Sequence, residues 1–322
     1  MGTRFSKTSR GLSTFRRNVD HGRQSNSLTS IFFALGANFA IFVAKLAAAL
    51  HTGSGAMLAE AVHSLADNGN QLLLIIGLKR AKRPPSYDHP LGYGKTIYFW
   101  SFIVAVILFS MGGMFSVYEG IHKLQHPEPL TAPWLAIAVL IFSIIAESIS
   151  LWGCLREVNK VRGDQTLFAW FHESRQSKLL VVFGEDLAAL LGLTFALGAV
   201  GLAMLTGNPF FDALGSIVIG LLLIIIAVMI GIEVKRLLIG QGVDPATHKA
   251  MSAFINKQEG VQDVYHLISL QLGSDVMVAV KAMMREFPGQ TAMIQAINRC
   301  ELRFKKAFPQ VIWSFFEPDI RD

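Results

Sequence analysis

Six long apolar segments dominate this chain and restrict what it can fold into. They cover about residues 28–50, 54–78, 96–118, 132–155, 179–205 and 211–234, and each reaches the roughly 20 residues that a helix needs to cross a bilayer. Only 16% of all residues are charged and the mean hydropathy is +0.44, whereas soluble domains usually carry about 25% charged residues. The chain is therefore predicted to be an all-α integral membrane protein over these residues, with six spanning helices.

Lysine and arginine alternate between the connections of these segments. Six of them precede the first segment, the connections 79–95 and 156–178 hold five each, and Lys235 and Arg236 follow the last segment. The three intervening loops contain only Lys123. Because basic loops stay on the cytoplasmic side, both termini are predicted to be cytoplasmic, or on the matrix side in an organelle. A bacterial inner membrane is the first expectation, and an organelle membrane is the alternative.

Residues 1–27 form a basic, polar segment in which Asp20 is the single acid. No apolar signal-peptide core occurs before Leu28, so we expect a cytoplasmic tail rather than a secretory leader. The Arg- and Ser-rich composition would also suit an organellar transit peptide. The net charge of +6 is spread between the apolar segments as a topology signal, so no nucleic-acid partner is predicted.

The polar C-terminal part, residues 242–322, follows the predicted transmembrane domain 28–238. An amphipathic helix is expected near 245–257, and alternating segments on either side of Gly273 and Ser274 predict two strands. A helix after Pro288 and Gly289 and a final strand, VIWSFF, complete the pattern. This order predicts a small α+β domain on the cytoplasmic side.

The second apolar segment contains ionisable residues. His63 and Asp67 are four apart and share one helix face, which Glu60, Asn70 and Gln71 extend. A carboxylate near mid-membrane costs roughly 2.5 to 3.5 kcal/mol, so it needs a compensating role. An imidazole and a carboxylate one turn apart provide half of a metal site. A buried hydrogen-bonded pair that only locks helices together is the alternative.

Other charges lie in the remaining segments. Glu185 and Asp186 are adjacent in the fifth segment, about 100 degrees apart on a helix, so both can face one point only if their side chains bend. Glu147 in the fourth segment could line a polar path. Lys45 lies near a helix end, and we expect its amine to extend to the membrane surface.

Together these motifs resemble the cation diffusion facilitator family, which transports metal ions against protons. The resemblance covers most of the chain and includes SGAMLAEAVHSLADNGNQ, DHPLGYGK, the acidic fifth segment, FDALGSIVIG and the ending FFEPD. It is nearest the branch of the human mitochondrial zinc transporter. The resemblance implies a six-helix transmembrane domain and a ferredoxin-like cytoplasmic domain that forms a homodimer.

The family binds its substrate with two ligands four apart on the second helix and two on the fifth. By this resemblance His63 and Asp67 supply the first pair and Asp186 the later position of the second. The earlier position falls at Val182, which cannot bind metal, and Glu185 is the natural substitute. The resulting oxygen-rich set still favours Zn(II), and it excludes Mn(II), Fe(II) or Co(II) less strongly than a two-His, two-Asp site does.

A loop site and a charge pair of the family have partial counterparts. His89 matches a loop ligand, but Tyr93 and Ser86 replace its usual partners, so the loop is a weak metal candidate. Lys95 and Asp212 match the family's pair that locks the membrane halves together. The resemblance therefore implies a salt bridge of structural or gating importance between them.

The family's cytoplasmic metal cluster is also only partly matched. His266 and Glu317 occupy ligand positions, whereas Lys281 and Phe315 stand where histidines are expected. These weak candidates imply a C-terminal domain that dimerises without metal.

The predicted function is export of a divalent cation, Zn(II) first, from the cytoplasm by alternating access in exchange for protons. The metal is a substrate, and no cofactor is expected. A metal-sensing membrane protein or a structural dimer without flux are the alternatives. The chain is not expected to be an enzyme, because it has no nucleophile elbow and no phosphate-binding glycine motif.

Overall fold

The computed structural model of this chain describes residues 35, 36 and 38–321, so the predictions made for residues 1–27 lie outside the described part. Its membrane-side helices are α1 (Asn38–Thr52), α2 (Gly55–Ala81), α3 (Thr96–Gln125), α4 (Pro133–Arg162), the short α5 (Leu167–Glu173), α6 (Ser177–Thr206) and α7 (Phe210–Gly240). Leu108–Met114 within α3 has π-helical hydrogen bonding. Serine and threonine start two of these helices: Ser54 accepts a hydrogen bond from the Met57 amide, and Thr166 does the same for Ala169.

In the described part of the chain, four helices are long and apolar enough to cross a membrane: α3, α4, α6 and the helix that begins at Phe210. They confirm the last four predicted spans. The helix α2 has 27 residues, which is long enough, but its polar stripe makes it less apolar than the other spans. The helix α1 is apolar and shorter over its described residues. A count of six spans stays a prediction.

Helices α3 and α7 approach so closely that their backbones are in contact. A Cβ added at Gly220 of α7 would lie 2.7 Å from the Gly113 carbonyl oxygen and 2.7 Å from the Val117 amide nitrogen of α3. A Cβ added at Gly120 would lie at the same distance from the Ala213 carbonyl oxygen, about two turns further along both helices. Small residues at such spacing let membrane helices pack tightly where lipid provides no hydrophobic driving force.

We expect Gly220→Val to destabilise the helix bundle, because its side chain would meet backbone atoms that cannot rotate away. Overpacking of this kind costs about 1–3 kcal/mol or more. Gly231→Val on the same helix is the matched control, since a Cβ there would meet only Ala105 at 4.0 Å. Thermal unfolding in detergent measures the difference. Equal unfolding temperatures for the two variants would contradict the close packing of α3 and α7.

The C-terminal part has a separate hydrophobic core. Its elements are α8 (Pro245–Asn256), β1 (Val261–Leu272), β2 (Asp275–Met284), α9 (Gln290–Ala307) and β3 (Val311–Pro318). Strand β2 is central, antiparallel to β1 and parallel to β3. These elements confirm the predicted order. A ferredoxin-like βαββαβ unit begins with one more strand, which the described residues from α8 onward do not include, so that fold stays a prediction.

The loop DHPLGYGK and the first turn of α3 contact the C-terminal part of the molecule. The Tyr98 hydroxyl accepts a hydrogen bond from the Gly273 amide at 2.9 Å and donates to its carbonyl oxygen at 3.3 Å. Gly273 has a φ of +73°, which glycine adopts without strain, and it forms the turn between β1 and β2. Gly94 lies against the Leu272 carbonyl oxygen with no room for a side chain. The loop after α2 therefore packs directly on the C-terminal sheet.

Candidate metal centre

The polar stripe of α2 lies inside the helix bundle. His63 and Asn70 are fully buried, and Asp67 is partly buried. The His63 Nδ1 atom lies 3.6 Å from Asp67 Oδ1, the distance expected from their four-residue spacing. Among the described residues, neither ring nitrogen of His63 has a hydrogen-bond partner, and neither does Asp67 Oδ1. Buried polar atoms without partners are rare in native structures, so this stripe has unused binding capacity.

The two acids of α6 face different neighbours. Glu185 is buried and accepts a hydrogen bond from the Asn70 side-chain amide of α2 at 2.5 Å. Asp186 accepts one from the Ser150 hydroxyl of α4 at 3.2 Å. This agrees with the 100 degrees between adjacent residues on a helix. The two acids therefore connect α6 to α2 and to α4 respectively.

A small cavity lies between α2, α4 and α6 at this level of the bundle, and α1 also contributes to its lining. Its volume is about 40 Å³, which exceeds the space that a single water needs. The residues lining it that matter here are Asp67, Glu147, Ser150, Val182, Glu185 and Asp186. Three of the four sequence-predicted ligands thus share one cavity. Val182 also lines it, at the position where the family pattern expects a ligand.

His63 is the predicted ligand that does not line this cavity. A Cβ added at Gly112 would lie 3.7 Å from its Nδ1 atom, so the ring lies against the π-helical segment of α3. In the described part of the chain no three His, Cys, Asp or Glu side chains converge closely enough to hold one metal ion. The tetrahedral set implied by the resemblance is therefore not assembled in this conformation.

Glu147 is the cavity residue that the family pattern does not include. It lies on α4, three residues before Ser150, and both face the cavity. The sequence signal for it was a charge within an apolar segment, followed by Ser148 and Ser150.

A buried ion pair lies beside the cavity. Lys45 of α1 donates to Ser64 Oγ at 2.7 Å and pairs with Glu60 Oε2 at 3.3 Å, and both charged residues are fully buried. The expectation that Lys45 extends to the membrane surface is wrong, because Glu60 provides an ion partner inside the bundle. Gly192 of α6 leaves the space that the Glu60 carboxylate occupies.

The predicted salt bridge between Lys95 and Asp212 is wrong. Asp212 begins α7, where it accepts hydrogen bonds from the Ser54 hydroxyl at 2.6 Å and the Gly55 amide at 2.7 Å. Lys95 Nζ lies at the other end of α7, 3.7 Å from the position of a Cβ on Gly240. Gly240 is 28 residues from Asp212 along α7, which is about 42 Å of helix, so the two charges cannot meet. Asp212 is paired instead with Lys123 Nζ at 3.9 Å, and it caps the start of α2.

The loop candidate His89 is brought together with the two residues that replace its family partners. Its ring stacks on Tyr93 with 4.3 Å between the centroids, and the Tyr93 hydroxyl lies 3.1 Å from Ser86 Oγ. A hydroxyl and a phenol are weak ligands for a divalent cation compared with histidine and carboxylate. The loop therefore brings these three residues together, but only His89 among them is a strong metal ligand.

The weak candidates His266 and Glu317 lie in one row across the C-terminal sheet. Lys281 of β2 stands between them, in register with both. Its amine pairs with Asp319 at 3.0 Å, and this hydrogen bond lowers the pKa of the Asp319 carboxyl. A cation fixed between two candidate ligands opposes metal binding. Phe315, two residues before Glu317 on β3, is exposed.

Comparisons with known proteins agree with these features. The family model described as the cation efflux transmembrane domain matches residues 31–239. The proton-coupled zinc antiporter SLC30A9, mitochondrial, of Xenopus laevis is 34% identical over 245 residues, which cover 76% of this chain and 44% of that protein. Its human counterpart of the same name is 31% identical over 231 residues, covering 71% and 41%.

Metal tolerance protein C4 of Arabidopsis thaliana is 31% identical over 250 residues, covering 77% of this chain and 55% of that protein. The chain thus spans about half the length of these relatives or less. The family model covers more than half of this chain, and its bounds contain the helices that carry the cavity. The chain therefore belongs to the cation efflux family, also called the cation diffusion facilitators.

Proposed function

We propose that this chain exchanges a divalent metal cation for protons across a membrane, with Zn(II) as its substrate and Mn(II), Fe(II) or Co(II) as the next candidates. The observation that carries the proposal is the cavity between α2, α4 and α6, lined by carboxylates within an apolar bundle. Ionisable groups inside a membrane domain mark ion pathways, because their desolvation is otherwise uncompensated. The names of the SLC30A9 relatives, which describe proton-coupled zinc antiporters, support zinc and proton coupling.

Competition for the same groups supplies the coupling. Asp67, Glu185 and Asp186 bind metal only when ionised, and His63 only when neutral, so each bound metal ion excludes protons from them. When the site opens to the proton-rich side, protons displace the metal. Alternating access then moves metal out of the cytoplasm and protons inward.

A groove between α4 and α6 supports access to the site from one side. It has a volume of about 540 Å³ and shares Ser150, Val182 and Asp186 with the cavity. It extends to Lys178 at the start of α6, on the lysine- and arginine-rich side of the bundle. A hydrated cation entering along this groove would pass Glu157 and then reach Asp186.

The proposed architecture has six spanning helices, both termini on the lysine- and arginine-rich side, and a homodimer formed through a ferredoxin-like C-terminal domain. That side is cytoplasmic in a bacterial inner membrane and faces the matrix in an organelle. The names of the SLC30A9 relatives support an organelle membrane. Membership in a transporter family agrees with the prediction that the chain is not an enzyme.

Flux in reconstituted vesicles tests this proposal. We expect Zn(II) to enter vesicles that are acidic inside faster than it enters vesicles without a pH gradient. Protons should leave the vesicles at the same time. Parallel measurements with Mn(II), Fe(II) and Co(II) rank the substrates. Protein-free vesicles under the same gradient give the leak rate.

Two outcomes would replace the proposal. Metal-dependent thermal stabilisation without flux would identify a metal-sensing membrane protein. Neither stabilisation nor flux with any of the four metals would identify a structural dimer, whose polar residues only pack helices.

A further inference from the structure

We propose that Glu147 on α4 is a ligand of the transported cation and shifts its preference toward cations that favour oxygen. The inference rests on the proposed function, and it adds the fourth helix to a site that the family pattern places on the second and fifth. The pattern leaves one ligand position empty, because Val182 lines the cavity without a donor atom. Glu147 lines the same cavity.

The packing of α4 turns Glu147 toward the cavity. The buried positions of this helix include Leu140, Ser143 and Cys154, which recur at helical spacing and define its inner face. Glu147 is four residues from Ser143 and therefore falls on that face. Ser150, one turn on, donates its hydrogen bond to Asp186 and fixes α4 against α6 at this level.

Glu147 has no ion-pair or hydrogen-bond partner of its own within residues 38–321. The nearby basic residue, Lys45, is already ion-paired with Glu60 and hydrogen-bonded to Ser64. None of the described residues that line the cavity is basic. A carboxylate inside an apolar span costs roughly 2.5 kcal/mol or more. The partly buried Glu147 is therefore expected to take up a cation from outside the protein, either a metal ion or the proton that competes with it.

Buried atoms next to the cavity also lack partners. Asp67 Oδ1 has none within the described residues, and neither do the ring nitrogens of the fully buried His63, 3.6 Å away. The cavity that Asp67 lines, at about 40 Å³, has room for one small cation. The geometry thus places an aspartate of α2 with an unsatisfied oxygen at the same cavity as carboxylates of two other helices, with His63 one turn away from it on α2.

A fourth carboxylate changes which metal the site prefers. Oxygen ligands suit Mn(II) and other hard cations, whereas imidazole suits Zn(II). A site with Glu147 therefore favours Zn(II) over Mn(II) in affinity less than a site with histidine at position 147 would. A carboxylate with only a structural role would not change which metal the site prefers.

Binding of the metals alone, measured by calorimetry on the full chain in detergent, tests the proposal. We expect Glu147→Gln to weaken Mn(II) binding by about tenfold or more, since a ligand matters at least as much as a residue that only orients one. Glu147→Asp should recover part of the loss. Glu147→His should raise the ratio of Zn(II) to Mn(II) affinity by about tenfold. Glu128→Gln, in the exposed loop before α4, is the matched control.

The outcomes separate this proposal from the proposed function. If Glu147→Gln and Glu147→His bind both metals as Glu128→Gln does while Asp186→Ala loses binding, Glu147 is not a ligand and the transport site stands. If Asp186→Ala also binds as the unmodified protein does, the site itself is wrong. Loss of folding in Glu147→Gln with normal selectivity in Glu147→Asp and Glu147→His would assign Glu147 a structural role and overturn the proposal.

Discussion

Replacing Asp186 with alanine is expected to abolish metal flux in vesicles while leaving a folded protein. Asp186 is the acid that lines both the cavity and the groove leading to it. A residue that merely hydrogen-bonds a metal ligand contributes about 10–100-fold to affinity, so losing a ligand should lower flux by at least about 100-fold. The fold should survive, because the structural bond lost is the one from Ser150, whose side chain is exposed.

The matched control is Asp164→Ala, which removes an exposed aspartate from the connection between α4 and α5. It should transport normally. Asp67→Ala should fail as Asp186→Ala does, because both carboxylates line the cavity. Size-exclusion chromatography and thermal unfolding verify that the inactive variants are folded. Normal Zn(II) flux in Asp67→Ala or Asp186→Ala would contradict the proposed site.

Local patterns were sufficient to predict most of the elements. Predominantly apolar composition located the four apolar spans, and alternation around Gly273 located β1 and β2. Both signals arise within a few residues of sequence, since side-chain direction repeats every 3.6 residues in a helix and every two in a strand. The positions of His63 and Asp67 on one face of α2 followed from the same periodicity.

Contacts between helices could not be predicted in this way. The rotation of α2 in the bundle, which leaves His63 against α3 and Asp67 in the cavity, depends on packing with several neighbours. Lys45 pairs with Glu60 across two helices, so neither residue's local sequence indicates its partner. Glu147 stands out in the sequence as a charge within an apolar segment, but its place in the cavity depends on the position of α4 against α6.

The incorrect pairing of Lys95 with Asp212 has a similar cause. Family resemblance transferred the two residues as a pair, and nothing in their local sequence tested the distance between them. Asp212 begins α7, and Lys95 precedes α3 and lies near the end of α7, at Gly240. The positive charge close to Asp212 is Lys123, which was the single basic residue in the loops of that side. The alternation of basic residues therefore already indicated that Lys95 and Asp212 lie on opposite sides.

Lys45→Met is expected to be the most destabilising single change in the membrane part of the molecule. It would leave the fully buried Glu60 carboxylate without its cation, and Glu60 Oε1 already has no hydrogen-bond partner among the described residues. Breaking a buried pair by removing one partner costs about 3–5 kcal/mol, because the remaining charge stays desolvated. Methionine has nearly the volume of the lysine side chain, so cavity formation contributes little. A large fall in thermal unfolding temperature in detergent would be the measured result.

The double variant Lys45→Met with Glu60→Gln distinguishes this cause from a packing defect. It removes both charges, and replacing a whole buried pair by neutral residues is often close to neutral in stability. Most of the lost stability should therefore return in the double variant, although Glu60→Gln alone would leave the Lys45 ammonium unpaired apart from Ser64. If Lys45→Met unfolds at the temperature of the unmodified protein, or if the double variant is no more stable than Lys45→Met, the ion pair does not stabilise the bundle. Because Ser64 also lines the cavity, recovery of stability without recovery of flux would show that Lys45 serves the transport site as well as the fold.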